Sequence, residues 1–212
     1  MKNKFLLLVV AVLMTSAVAS AQESRKLLTI EDVVLNYNLS PKSYPVKWVG
    51  ALDSYSVVDG TSVDGVGLRT SIYCAGCENK CPGCHNPQSW DERGGEAMEV
   101  EELFRLIEDA DMNVTFTGGD PMFHPEGFTR LAQMIKSQSR KTIWCYTGYR
   151  FEDLLLNPSR RALLEECDVL VDGRYVEAER DLSLHFRGSC NQRIIDVKQS
   201  LAQGEVVLME GV

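Results

Sequence analysis

The chain has no excess of basic residues and no Lys/Arg cluster: 22 Lys and Arg stand against 30 Asp and Glu, a net charge of -8. A nucleic-acid partner is therefore not expected, because phosphate backbones are held by a basic surface. Internal repeats and low-complexity tracts are also lacking, which removes solenoids and disordered tails. The apolar run that begins at Phe5 is too short for a membrane span. An even-numbered disulfide framework is lacking too. The seven cysteines are an odd number, and four of them fall within positions 74–84, which is metal-site usage. What remains, 44% hydrophobic and 25% charged over 212 residues, describes an ordinary globular chain with one sizeable domain.

The cysteine-rich run is CAGCENKCPGCHN. Cys77, Cys81 and Cys84 follow an x3 then x2 spacing that holds three thiolates close enough to share one cluster. Three thiolates on a four-iron cubane leave one iron open to a small molecule, as an open position separates catalytic from structural zinc. Cys74 extends the run to C-x2-C-x3-C-x2-C and could supply a fourth ligand. Strand alternation in GLRTSIYC places it with Leu68 and Ile72, opposite Arg69, Ser71 and Tyr73, so a buried thiol is its simplest reading. A compact zinc site is the first competitor, but its ligand pairs are usually separated by roughly 12 to 20 residues. The run through Cys81 and Pro82 also matches part of a ferredoxin pattern, yet no second run provides the remaining ligand.

The amino terminus conflicts with such a site. Lys2 and Lys4, the apolar run from Phe5, and Ala17, Ala19 and Ala21 read as a secretory signal peptide over residues 1–21. Export would oxidise exposed thiolates and remove them from cytosolic reductants. Residues 22–53 carry one helix-like patch, TIEDVVL, and an extended stretch with Trp48; they resemble the mature start of secreted dipeptidyl-peptidase-IV-like proteins. A joint is therefore expected near Ser54 to Val58, with a leader fused or mis-assembled onto a cytoplasmic domain spanning 54–212.

Beyond that joint, short apolar strands alternate with helical patterns, the signature of βα units and a parallel sheet. Strands are expected at SVVD, RTSIYCA, NVTFTG, KTIWCYTG, CDVLVDG and RIIDV. Helices are expected over AMEVEELFRLIEDA, EGFTRLAQMIK and FEDLLLNPSRRALLEE, the last interrupted before Pro158. Four strands end in glycine-bearing loops, CAGC, TGGDP, YTGY and VDGRY, and in barrels of this kind chemistry gathers at those ends. About five or six mainly parallel strands are too few for a closed eight-stranded barrel. The fold class is accordingly α/β, a partial, open (β/α) barrel.

DGVGLRTSIYCAGCENKCPGCHNPQSW, TFTGGDP, IWCYTGY and VDGRYVEAERDLSLHFRGSCNQRIIDV together resemble the radical S-adenosylmethionine (SAM) superfamily over about residues 57–197. Within it, CPGCHN and RGSCNQR resemble the activases of anaerobic ribonucleoside-triphosphate reductases. The resemblance implies a [4Fe–4S] cluster on Cys77, Cys81 and Cys84, and SAM on the open iron. It implies reductive cleavage of SAM to methionine and a 5′-deoxyadenosyl radical, which makes a glycyl radical on the reductase. It assigns no catalytic side chain beyond the cluster. Gly118, Gly119 and Asp120 match the motif that receives the SAM amino group, and Gly83, Cys84 and His85 match positions beside SAM. A low-potential electron donor such as flavodoxin is implied, and no membrane partner.

The alternatives are an activase of another glycyl radical enzyme, of formate-lyase type, and an electron-transfer iron–sulfur protein. Gly83 stands where many members carry an aromatic residue, and Cys190 where serine is expected; it reads as a packed small residue. His124 and His185 read as loop or surface residues, Trp144 and Tyr146 as packing. Arg69 and Arg187 suit a structural ion pair or a contact with SAM or the partner.

Overall fold

The computed structural model describes residues 43–44 and 53–211. The expected leader, the TIEDVVL patch and Trp48 lie outside those residues. All six expected strands form, as β2 (Asp53–Thr61), β3 (Arg69–Cys74), β5 (Asn113–Gly118), β6 (Ile143–Tyr146), β7 (Val169–Asp172) and β8 (Arg193–Asp196). Two short strands join them, β1 (Ser43–Tyr44) and β4 (Glu96–Ala97), both pairing with β2. The sheet order is β1-β2-β3-β5-β6-β7-β8. β3, β5, β6 and β7 run parallel, whereas β2 and β8 pair antiparallel to their neighbours. Among the described residues no pairing joins the two edges, so the barrel is open.

The helices begin and end where local chemistry dictates. α1 (Val100–Ala110) has Glu101 and Glu102 in its first turn, favourable beside the positive helix end, and buries Val100, Leu103, Phe104 and Ile107. α2 (Pro125–Gln138) starts on a proline whose missing N–H costs nothing there, and buries Phe128, Leu131, Ala132 and Ile135. The expected interruption before Pro158 separates α3 (Phe151–Leu154) from α4 (Pro158–Glu166), with the Asn157 side chain accepting from the Arg160 N–H at 3.1 Å. α5 (Val197–Gln203) is capped by Asp196 and stopped by Gly204 in the left-handed region.

Strand alternation sorts the sheet into two faces. Ile72, Phe116, Cys145, Leu170 and Ile195 lie side by side across five strands and pack with residues of all five helices in the main core. Phe116 meets Phe128 of α2 at 4.8 Å between ring centroids. The alternate residues, among them Arg69, Ser71, Tyr73, Thr115, Thr117, Trp144 and Tyr146, belong to the opposite face. Trp144, Val169, Val171 and Ile194 form a smaller cluster there. No helix among the described residues is long and apolar enough to cross a membrane.

Candidate functional site

Cys74 closes β3 on the helix-covered face, fully buried and part of the core, where strand parity puts it. The chain then turns over to the other face. Gly76 N–H donates to Ser89 O at 2.8 Å and Cys77 N–H to Trp90 O at 3.2 Å, which pins both ends of the cysteine loop together. A turn from Cys81 O to Cys84 N–H, 3.1 Å, brings the second and third cysteines round. Cys77, Cys81 and Cys84 are free and partly exposed, and all three line one cavity of about 880 Å³. Gly83 and His85 line it too, with Gly118, Gly119, Gly148 and Gly173. The four glycine-bearing strand ends thus open onto one space.

Burial, and after it the charge of Asp120, holds the Cys77 thiol above its ordinary pKa, so binding a metal there must displace a proton. Among the described residues no three His, Cys, Asp or Glu side chains converge on a single ion. A cubane makes a different demand, since each thiolate binds a different iron at its own corner. Three free thiols on one loop, facing one cavity, are a soft donor set that fits such a cluster.

The Gly118-Gly119-Asp120 turn is stitched to this loop through backbone. Gly119 N–H donates to Cys74 O at 2.7 Å and Asp120 N–H to Gly76 O at 2.9 Å. Gly118 has φ +100°, and a Cβ there would fall on the backbone nitrogen of Cys74, so only glycine fits. Asp120 is placed differently from expectation. It is 1% exposed and absent from the cavity wall. Its carboxylate accepts from Asn79 Nδ2 (2.9 Å), Met122 N (3.0 Å), Thr147 Oγ1 (3.1 Å) and Gly148 N (3.0 Å). Burial pushes its pKa up to about 6, against the pull of these hydrogen bonds.

With this geometry in view, the comparisons are specific. Residues 63–195 match the family described as a 4Fe-4S single cluster domain. The anaerobic ribonucleoside-triphosphate reductase-activating protein of Vibrio cholerae is 35% identical over 142 residues, covering 62% of this chain and 90% of the relative. The proteins of the same description from Escherichia coli K12 (33% over 140 residues; 61% and 89%) and Enterobacteria phage T4 (33% over 139 residues; 62% and 86%) are similar at the same level. The chain belongs to this iron–sulfur activating-protein family. The matched stretch, 63–195, contains the cysteine loop and all four glycine-bearing strand ends.

The late RGSCNQR segment of this family member lines the same cavity through Arg187, Gly188 and Gln192. Gln192 Oε1 accepts from Gly188 N–H (2.9 Å) and Ser189 N–H (3.2 Å), while Nε2 donates to Gly173 O at 3.0 Å. Arg187 lines the cavity and donates to Gln192 O at 2.7 Å. Arg193 bridges Asp172 (2.9 Å) and both oxygens of Glu152 (2.9 and 2.8 Å). Cys190 is exposed, a correction to its reading as a packed residue; the turn around it leaves its side chain outside.

Arg69 is 1% exposed and structural. It donates to Thr115 Oγ1 (2.7 Å), Val114 O (2.6 Å) and Thr142 O (3.0 Å), and its guanidinium lies 5.4 Å from the Trp144 ring. Desolvation lowers its pKa to about 10. Trp144 and Tyr146 both pack as expected, within and against the smaller cluster, and Tyr146 lines the cavity as well. His85 and His185 are exposed, and His124 is half-buried against Phe123. Sequence reasoning missed Asn79, Arg174 and the Tyr73–Asp64 hydrogen bond of 2.7 Å. The lone signal for Asn79 was its place between two ligand-type cysteines.

Proposed function

We propose that this chain is the radical SAM activase of an anaerobic (class III) ribonucleoside-triphosphate reductase. The observation that carries the reading is the convergence of three free cysteines and four glycine-bearing strand ends on one cavity. Cys77, Cys81 and Cys84 would hold a [4Fe–4S] cluster. When bound, that cluster supplies one electron to SAM, whose cleavage gives methionine and the 5′-deoxyadenosyl radical that takes hydrogen from a glycine of the reductase.

The chain's own residues bind, orient and shield. Gly118 and Gly119 line the cavity and would offer backbone carbonyls to the SAM amino group, while Gly83 and His85 would border SAM beside Cys84. Asp120 serves at one remove, by fixing the turns around that site. Val58, Tyr73, Tyr146 and Phe186 contribute apolar and aromatic surface to the cavity wall, which would limit water beside a reactive species. An open mouth admits the glycine-bearing segment of the reductase. A need for low-potential electrons and reduced thiols suits a cytoplasmic domain over residues 54–212, served by a donor such as flavodoxin, and conflicts with the signal-like leader read at 1–21.

The test is anaerobic reconstitution with iron and sulfide, followed by dithionite and SAM. 5′-Deoxyadenosine and methionine should appear together, and a glycyl radical signal should follow once the reductase is added. A fully loaded protein that forms no 5′-deoxyadenosine overturns the reading.

A further inference from the structure

We infer that Asn79 is a positioning residue, which with Asp120 clamps the cysteine loop against the turns that follow β5, β6 and β7. What the clamp positions, cluster ligands against SAM-binding turns, rests on the activase reading.

Both ends of the Asn79 amide are used. Nδ2 donates to Asp120 Oδ2 at 2.9 Å, and Oδ1 accepts from Arg174 Nε at 3.0 Å. The Asn79 backbone carbonyl takes a second bond from Arg174 Nη2 at 2.8 Å. Arg174 follows β7, and its own carbonyl accepts from Asn191 Nδ2 at 2.8 Å, which ties the RGSCNQR segment to the same point. On the other side, Asp120 Oδ2 also accepts from Thr147 Oγ1 and Gly148 N–H of the loop after β6, while Oδ1 takes Met122 N–H. The loops after β3, β5, β6 and β7 therefore meet at one amide–carboxylate pair. Gly148 sits so close that a Cβ there would overlap the Asn79 side chain.

The residue types follow from the chemistry. Position 79 must donate to a buried carboxylate and accept from a guanidinium, which an amide does and a carboxylate does not. Position 120 must accept four donors and give none, which suits an ionised carboxylate. This accounts for a buried acid at the strand end that does not reach the cavity. Asn79 lies between Cys77 and Cys81, so its anchorage fixes the stretch joining two of the three thiols.

The experiment compares the full chain with its N79A and N79D variants. Iron and sulfide per chain, KM and kcat for 5′-deoxyadenosine formation, and amide hydrogen exchange of the metal-free protein are measured. N79A should load its cluster fully but raise the KM for SAM by about tenfold, with a much smaller change in kcat. Exchange over residues 77–84 should quicken by about tenfold while α2 is unaffected, because the opening is local. N79D should exceed N79A in both respects, since it sets a second carboxylate against Asp120. The clamp is refuted by wild-type KM and exchange in N79A, by faster exchange spread equally through α2, or by N79D milder than N79A. Should the loaded wild-type protein form no 5′-deoxyadenosine, the activase reading falls, and exchange in the metal-free chain alone decides the clamp.

Discussion

The two faces of the sheet are built from alternate residues of the same strands and do opposite work. On the helix-covered face Ile72, Cys74, Val114, Phe116, Ile143, Cys145 and Leu170 are all fully buried and apolar. On the other face Tyr73, Thr117 and Tyr146 line an open cavity, and Arg69 with Thr115 fills the interior near the strand starts. A period of two lets one strand contribute to the packed core with one set of alternate positions and to the cavity wall with the other. Cys74 and Cys77 show the contrast at its closest: three positions apart, one is sealed in the core and the other lines the cavity.

This division can be broken from either side. The largest effect is expected at the cavity: C81S should abolish SAM cleavage while the metal-free chain keeps its stability to within about 0.5 kcal/mol, as read by denaturant unfolding, because the side chain is partly exposed. On the packed face, F116A should cost about 3–5 kcal/mol of stability, since it empties the contact with Phe128, yet leave cluster content per folded molecule unchanged. C74S should cost about 1–3 kcal/mol by burying an unpaired hydroxyl, again without loss of iron. Iron loss in C74S would bring the two faces together and make Cys74 a ligand.

The smallest effect concerns Asp120, which joins the two regions at the strand ends. Its folded pKa of about 6 stands above the ordinary carboxyl value of 3.8. The folded chain therefore holds this proton more tightly than the unfolded chain, and the associated stability is lost as pH rises through about 6. Relative to D120N, the metal-free wild type should lose about 1 kcal/mol between about pH 5 and pH 7 in urea titrations. A flat difference across that range would mean that the hydrogen bonds from Asn79, Thr147, Gly148 and Met122 outweigh burial.

Much of this was legible before the structure. Local patterns carry strands and helices, so six strands, the break before Pro158 and the stripes on α1 and α2 were readable from periodicity and turn chemistry. Parity alone placed Cys74 in the core. Strand direction was less legible: β8 pairs antiparallel to β7, and β1 and β4 are only two residues long, too short to leave a periodic signal. Arg69 looked like a ligand contact or ion-pair partner because its actual partners are mostly backbone carbonyls, which sequence does not display.

By itself the sequence determined the cysteine spacing, the two faces of each strand and the glycines at four strand ends, all set by neighbours within a few residues. Only the tertiary structure decided that those four ends share one cavity, that Asp120 turns inward, and that Asn79 meets Arg174 across 95 positions of chain. The physical reason is range. Periodicity and turn geometry act along a few bonds, whereas a buried carboxylate chooses its donors only after folding has brought distant loops within hydrogen-bond distance.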